Sequence, residues 1–293
     1  MAPRIPPTLR YEREVWRSGA GLLAAVDEVG RGALAGPVSV GVVLLAADTK
    51  PAPLGVADSK LLTPQARQRL VPRIRRWAMD SAVGHASAAE IDQIGIIAAL
   101  RLAAERAVSQ LSAEPDWVLL DGNHDYLTHR PVAGSGVDQP SLFGESTDCA
   151  EGAGGFAAGS ASGAVAGLDR WRCTVPVHTL IKGDLRCSSI AAASVLAKTE
   201  RDGMLIDLAE QYPVYGFAGN KAYASPQHLA ALLEHGPCAI HRCSWNLPGL
   251  IGRAGQPELP LAEALGMPDL IASLTEELAM GDDGQMTPAG PHR

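Results

Sequence analysis

A run of five apolar residues, Leu22-Leu23-Ala24-Ala25-Val26, passes with no polar spacer into Asp27-Glu28 and then Val29-Gly30-Arg31-Gly32. The apolar run reads as a buried strand. The two carboxylates therefore sit at or just past the end of a core strand. Charge in such a place is costly unless it is paired or bound to a metal. The glycines beside Arg31 are not expected to serve packing; they let the backbone turn sharply and come close to a ligand. An acid pair followed by Gly-Arg-Gly points to a divalent-metal site beside a backbone clamp for a phosphate or sugar.

The chain has 293 residues, of which 46% are hydrophobic, so it has enough apolar material for one sizeable globular domain or two small ones. No uninterrupted apolar run approaches the roughly 18 residues a membrane helix needs, and no membrane association is expected. Met1 to Arg10 carries Pro and Arg but no apolar segment of the kind a signal peptide has. The five cysteines are odd in number and follow no C-x-x-C spacing, so neither a disulfide framework nor a zinc site is expected. Reduced thiols fit a cytoplasmic location.

The net charge of −7 argues at first against a nucleic-acid partner. Its distribution reverses that reading. Residues 122–172 contribute −3 and residues 250–293 contribute −5, which leaves +1 for the rest of the chain. That remainder still counts the candidate metal-binding acids, which a cation would neutralise.

Three segments do not read as core. Residues 1–18 form a polar arm, and residues 250–293 an acidic, peripheral tail. Within the intervening 19–249, residues about 128–170 read as a Gly/Ala/Ser-rich flexible insertion. The remainder alternates strands and helices, an α/β pattern. Val38 to Leu45 is a near-continuous apolar strand. Thr63-Pro64 starts a basic helix, Arg67 to Arg76, with a hydroxyl cap and Pro at its first position; its arginines read as a charged outer face, with binding of a nucleic-acid backbone as the alternative. Ala82 to Ala86 is a short strand. Ser87 to Glu90 is a capping box opening a long helix to about Leu111. Trp117 to Leu120 and Cys173 to Ile181 are further strands. Ser188 to Tyr212 is a long Ala-rich helix, and Ser225-Pro226 opens another that stops at Gly236-Pro237.

Asp27, Asp121 and Asp184 thus fall at the C-terminal ends of expected strands, where open α/β sheets bind ligands. With Glu28 they can form one acidic cluster. Hard oxygen donors suit Mg²⁺ or Mn²⁺. Two such ions activate a water and stabilise the leaving oxygen of a phosphodiester. The competing reading is structural: Asp121-Gly122 as a turn pair and Asp184 as a helix cap.

These motifs resemble the ribonuclease HII family. The resemblance rests on Asp27-Glu28-Val29-Gly30-Arg31-Gly32, Leu34-Ala35-Gly36-Pro37-Val38, Asp58-Ser59-Lys60, Asp121-Gly122-Asn123 and Lys182-Gly183-Asp184. It continues through Ser189 to Lys198, Arg201-Asp202, Tyr215-Gly216-Phe217, Asn220-Lys221, Tyr223, His228, Gly236-Pro237 and His241-Arg242. It implies an RNase H-like mixed sheet flanked by helices, with a C-terminal helical segment. It implies cleavage of RNA in RNA–DNA hybrids and incision 5′ of single ribonucleotides embedded in duplex DNA, leaving a 3′-hydroxyl and a 5′-phosphate. The implied cofactor is Mn²⁺ or Mg²⁺, two ions in the catalytic complex. The implied partners are an RNA–DNA hybrid or a ribonucleotide-containing DNA duplex, met by a monomer; contact with a replication clamp is left open. The short stretch before Leu22 is expected to set the chain apart from type HIII relatives.

Residue by residue, Asp27, Glu28, Asp121 and Asp184 match the family's catalytic, metal-binding acids. Gly30, Arg31 and Gly32 match its reader of the ribose 2′-hydroxyl. Tyr223 matches the aromatic that packs on the sugar beside the RNA–DNA junction. Lys60, Lys182, Lys198 and Lys221 are the candidate phosphate contacts, with Lys198 and Asp202 also spaced to pair along one helix. His228 and His241 are assigned either substrate positioning or a structural part. Ala222 and Ala224 stand where the family usually has Gly; an alanine forced to φ > 0 costs roughly 1 kcal/mol or more. Either that backbone is not left-handed, or Tyr223 is reoriented. Other metal nucleases of this fold, a catalytically silent hybrid binder and a Rossmann-like module are the rival readings; the last lacks any G-x-G-x-x-G after its first strand.

Overall fold

The computed structural model describes residues 6–128 and 171–248. The insertion, apart from Thr128, and the acidic tail lie outside those residues.

Helix α1 (Arg10–Arg17) precedes strand β1 (Leu22–Val29), which pairs antiparallel with β2 (Val38–Ala46). A single 3₁₀ turn, Ser59–Leu61, leads into α2 (Pro64–Trp77). Strand β3 (Asp80–Ala86) pairs antiparallel with β2. Helices α3 (Ala88–Ile94) and α4 (Ile96–Val108) follow, then β4 (Trp117–Asp121) and β5 (Val177–Leu180). Strand β4 is parallel to β1 and β5 is parallel to β4, so the five-stranded sheet runs β3-β2-β1-β4-β5 and is mixed. The chain closes with α5 (Gly183–Arg186), α6 (Ser188–Gln211), a 3₁₀ turn at Pro213–Tyr215, α7 (Phe217–Asn220) and α8 (Pro226–His235).

Alternation along the strands divides their side chains between two faces. Ala24, Val26, Val38, Val40, Val42, Leu44, Val118 and Leu120 pack against α4. Leu23, Ala25 and Leu119 face the other way, onto Ile190 of α6, while Val43 and Leu45 join Ala191–Ala193 of α6 and Leu70 and Ile74 of α2. The sheet is thus sandwiched between helices. Two glycines let those helices come close. A Cβ at Gly84 would strike the Ala103 carbonyl of α4, and one at Gly41 the Ala193 carbonyl of α6. The first half of α6 is buried all round, Ser188 through Ala197, which explains its Ala-rich and nearly unpatterned sequence. A third apolar cluster joins the far end of α6 to the C-terminal segment through Leu205, Tyr215, Phe217, Ala222 and Leu232, and also takes in Ala33 and Ala35 from the β1–β2 connection.

The caps read from sequence are formed. Thr63 Oγ1 accepts from the Ala66 amide at 3.2 Å, and Ser87 and Glu90 make a reciprocal capping box. Other expectations are corrected. The long helix after Ser87 is broken at Gly95, whose φ of +77° separates α3 from α4. Strand β5 is four residues rather than the nine of 173–181. Arg67 is not on an outer face: it is buried and donates to the Ser59 and Leu62 carbonyls and to Asp202, whereas Arg69, Arg73, Arg75 and Arg76 are exposed.

Gly41→Ala is expected to push α6 off the sheet and cost about 1–3 kcal/mol, a Tm loss of several degrees. Thermal and urea unfolding check it; an unchanged Tm would show that the helix has room to spare.

Candidate active site

Strand β1 does not stop at Val26. It continues to Val29, so Asp27 and Glu28 are strand residues, opposite Gly41 and Val40 of β2. The parallel pairing of β1 with β4 matches Val26 to Leu120, which makes Asp27 and Asp121 the next residues along both strands. Asp121 in turn is level with Leu180 on β5. Asp184 follows from the short α5, inside its first turn rather than capping it from outside. Strand parity puts Asp27 and Asp121 on the α6 face, the face of Ala25 and Leu119. Glu28 has the parity of Val26 and turns to the α4 face.

Local hydrogen bonds fix each acid. The Gly183 amide donates to Asp121 Oδ1 at 2.6 Å, tying β4 to the turn that carries Asp184. Asp27 Oδ1 accepts from the Glu28 amide at 2.8 Å. The Ser194 hydroxyl of α6 lies against Asp27 and 2.8 Å from Ser59 Oγ. Tyr126 donates its phenol to Glu28 Oε2 at 3.3 Å.

The electrostatics are adverse for carboxylates alone. Asp27 is only 6% exposed. Burial, then the neighbouring Asp121 and Glu28 charges, push its pKa well above the ordinary carboxylate range. Burial and Asp121 also raise Glu28, against the pull of Arg31, and raise Asp184 together with Asp58. Cations reach only the rim: Arg31 Nη1 is 3.7 Å from Glu28 and Lys60 Nζ is 3.5 Å from Asp184. Partial burial works against the Lys60 charge, but Asp184, Asp58 and Asp27 outweigh it and raise its pKa. Neither Asp27 nor Asp121 forms an ion pair with a described residue. A divalent cation fits this donor set, because it is hard, takes carboxylate oxygens and removes the repulsion that raises these pKa values. Among the described residues no three His, Cys, Asp or Glu side chains are grouped closely enough to hold a metal ion.

The remaining candidates divide. Gly30 has φ +83°, and a Cβ there would collide with the Arg201 guanidinium, so packing does demand glycine at this position, contrary to expectation. Gly32 has open space where its Cβ would be. Tyr223 is exposed beside this turn, with the Arg201 guanidinium carbon 5.5 Å from its ring centre. Lys182 is exposed and left-handed at φ +56°. The Lys221 ammonium donates to the Ala218 carbonyl. Lys198 pairs within α6: its ammonium is 2.6 Å from Asp202 Oδ1, whose other oxygen takes Arg67. Ala222 does adopt φ +65°, while Ala224 is not left-handed. His228 and His241 are buried against each other, Nε2 to Nε2 at 3.0 Å.

Sequence reasoning assigned no part to Arg201 and Arg242, although both stand in its motifs. Each is fully buried. Arg242 donates to the carbonyls of Gly30 (2.7 Å), Arg31 (2.9 Å) and Gly36 (3.2 Å), which makes it the inner support of the glycine turn.

The chain is similar to known proteins in both sequence and fold. A family model described as Ribonuclease HII matches residues 24–135 and 168–247. A ribonuclease HII of Streptomyces avermitilis is 42% identical over 244 residues, covering 83% of this chain and 85% of that one. One from Nitrosococcus oceani is 41% identical over 224 residues, covering 76% and 88%. In fold, the chain is similar to ribonuclease H2 of Pyrococcus horikoshii, with a TM-score of 0.51 and 21% identity over 77% of this chain and 94% of that one. It is equally similar, with a TM-score of 0.51 and 20% identity over 83% and 99%, to the ribonuclease HII solved in complex with PCNA from Archaeoglobus fulgidus.

In chelator at about pH 7.5, Asp27→Asn is expected to raise Tm by about 2 °C or more. A raised pKa means the folded state holds the proton more tightly than the unfolded chain does. The penalty is absent below the ordinary carboxylate pKa and grows as pH rises through it. The gain from Asn therefore shrinks as pH falls from about 7.5 to about 5. Melts at both pH values check this, and a variant no more stable than wild type at the higher pH would show that the Asp27 charge is already compensated.

Proposed function

The chain belongs to the ribonuclease HII family, metal-dependent enzymes that cleave the RNA of RNA–DNA hybrids, and from that premise we propose that it also incises 5′ of single ribonucleotides embedded in duplex DNA, leaving a 3′-hydroxyl and a 5′-phosphate. The observation that carries this reading is the placement of Asp27 and Asp121 at adjacent strand ends on one face, with Asp184 tied to them through Gly183 and the glycine turn following directly from the same strand.

Asp27, Asp121, Asp184 and Glu28 would hold the ions. When bound, a pair of Mg²⁺ or Mn²⁺ ions supplies an activated water and charge stabilisation for the departing 3′-oxygen. The residues themselves do the rest. Ser194 orients Asp27, and the Gly183 amide orients Asp121. Lys60 stands at the rim, where a phosphate approaching Asp184 would meet a positive charge. Lys182 and Lys221 are the further phosphate contacts in this reading. The Gly30–Gly32 backbone reads the 2′-hydroxyl, the group that tells RNA from DNA at a given site. Tyr223 packs on the neighbouring sugar. Ribonucleotide removal during DNA repair or replication, by a monomer in the cytoplasm, is the setting this activity suits. A sliding clamp is a further partner, for which the archaeal relative's complex with PCNA gives a precedent.

The test is a labelled duplex with one embedded ribonucleotide, incubated with Mn²⁺, Mg²⁺ or chelator. One metal-dependent cut 5′ of the ribonucleotide is expected, and Asp27→Asn should reduce cleavage by about 10²-fold or more while retaining hybrid binding. Cleavage of long hybrids alone would keep the metal site and remove the junction reading.

A further inference from the structure

Arg201 sits on α6, one turn beyond the residues that pack on the sheet, and its guanidinium is 0% exposed. It forms no ion pair with a described residue; the adjacent Asp202 is already engaged by Arg67 and Lys198. Among the described residues its hydrogen bonds all go to main-chain carbonyls, and these come from two separate segments. Nε donates to Pro37 at 2.8 Å and Nη2 to Ala35 at 3.4 Å, both in the β1–β2 connection. Nη1 donates to Lys221 at 3.1 Å, in the segment that leads to Tyr223. The same group presses on the Cα of Gly30 and lies 5.5 Å from the Tyr223 ring centre. A buried charge without a carboxylate is expensive, and removing it would orphan carbonyls in both segments at once.

The left-handed pair Lys221 (φ +51°) and Ala222 (φ +65°) has its explanation here. Their carbonyls turn inward onto two fixed donors: Lys221 accepts from Arg201, and Ala222 accepts from the Leu34 amide at 2.8 Å. A conformation unfavourable for alanine is thus held by bonds to the β1–β2 connection. Once both carbonyls are so held, Tyr223 has a defined position relative to the Gly30–Gly32 turn.

We propose that Arg201 is a positioning residue that fixes the distance between the glycine turn and Tyr223, and so sets the preference for a ribonucleotide followed by deoxyribose over continuous RNA. It touches neither substrate nor metal. Its guanidinium works because a planar fork reaches carbonyls on two segments at once, which an ammonium on a flexible stem does not do. The inference rests on the reading of the glycine turn and Tyr223 given above.

The experiment compares kcat/KM on two substrates, a duplex with one embedded ribonucleotide and a long RNA–DNA hybrid, for wild type, Arg201→Lys, Tyr223→Ala and the double variant, at a temperature where circular dichroism shows each folded. Wild type is the control on the underlying reading: if it does not cut the single-ribonucleotide duplex, that reading fails before Arg201 is tested. Given that cut, Arg201→Lys is expected to lower the preference for the single-ribonucleotide duplex by about tenfold or more, because small misplacements of a substrate-positioning group carry losses of that order or larger. In the Tyr223→Ala background the same change should shift the preference far less, since the two act through one contact. Equal losses on both substrates, or additive effects in the double variant, would overturn the proposal and leave Arg201 a stability residue. A second measurement needs no variant. In the wild-type protein, amide exchange at Ala33 and Leu34 should respond to denaturant as one unit with Lys221 and Tyr223; two independent opening reactions would equally overturn it.

Discussion

The close approach of α6 to the sheet is the constraint on which the rest of this structure depends. It is permitted by Gly41, whose missing Cβ leaves space for the Ala193 carbonyl, and by the small residues Ala191 to Ser194 on the contacting turns. One helix then serves the whole site. Its start follows directly from the turn bearing Asp184. Its second turn brings Ser194 to Asp27. Farther along, Asp202 gathers Lys198 and Arg67, and Arg201 reaches the β1–β2 connection and the Lys221 carbonyl. A helix standing farther off would reach none of these groups in the same geometry, because interiors pack at fixed density and do not stretch.

The acids show the opposite logic, with stability given up to place charge. A parallel β1–β4 pair ends with Asp27 beside Asp121, so the chain folds with two carboxylates on one face and no ion pair between them and any described cation. Alternation sends Glu28 to the other face, where Arg31 and Tyr126 partly compensate it. The cluster is therefore not one pocket of four equivalent acids. It is a pair on the α6 face, with Asp184 brought in on the short α5 and Glu28 on the opposite face of the strand. Metal ions are the natural complement of such an arrangement, since a cation removes the repulsion that the protein leaves standing.

Much of this was legible in the sequence because it depends on local signals. The apolar runs, the Thr63 and Ser87 caps and the Gly236 stop each act through neighbouring residues, and they gave the element order. The acids could be listed because their residue types are wrong for strand ends in a core. What escaped depends on partners far apart in the chain. Arg67 reads as one more surface arginine until Ser59 and Asp202 enclose it. Gly30 reads as a ligand-facing glycine until Arg201, from α6, is found behind it. The left-handed Ala222 could be framed as a question from the sequence but not answered, because the bonds that hold it come from Leu34 and Arg201.

The polar arm is the fullest case of that limit. By composition it belongs at the surface, yet Glu12 is completely buried and its Oε1 accepts from the Ser189 amide at 3.0 Å and hydroxyl at 2.6 Å. Thr8 exchanges main-chain hydrogen bonds with Arg186 and Ser188 on either side of Cys187. Cys187, the residue before α6, offers the helix no side-chain cap, so α1 supplies from a distance the acceptor that a local Ser or Asp would have given. The carboxylate also opposes the positive end of the helix dipole. Burial raises the Glu12 pKa despite these hydrogen bonds, and its second oxygen has no hydrogen-bond partner among the described residues. The arm thus spends stability at its own site to hold the first turn of α6, and that turn adjoins the loop that sets Asp184 against Asp121.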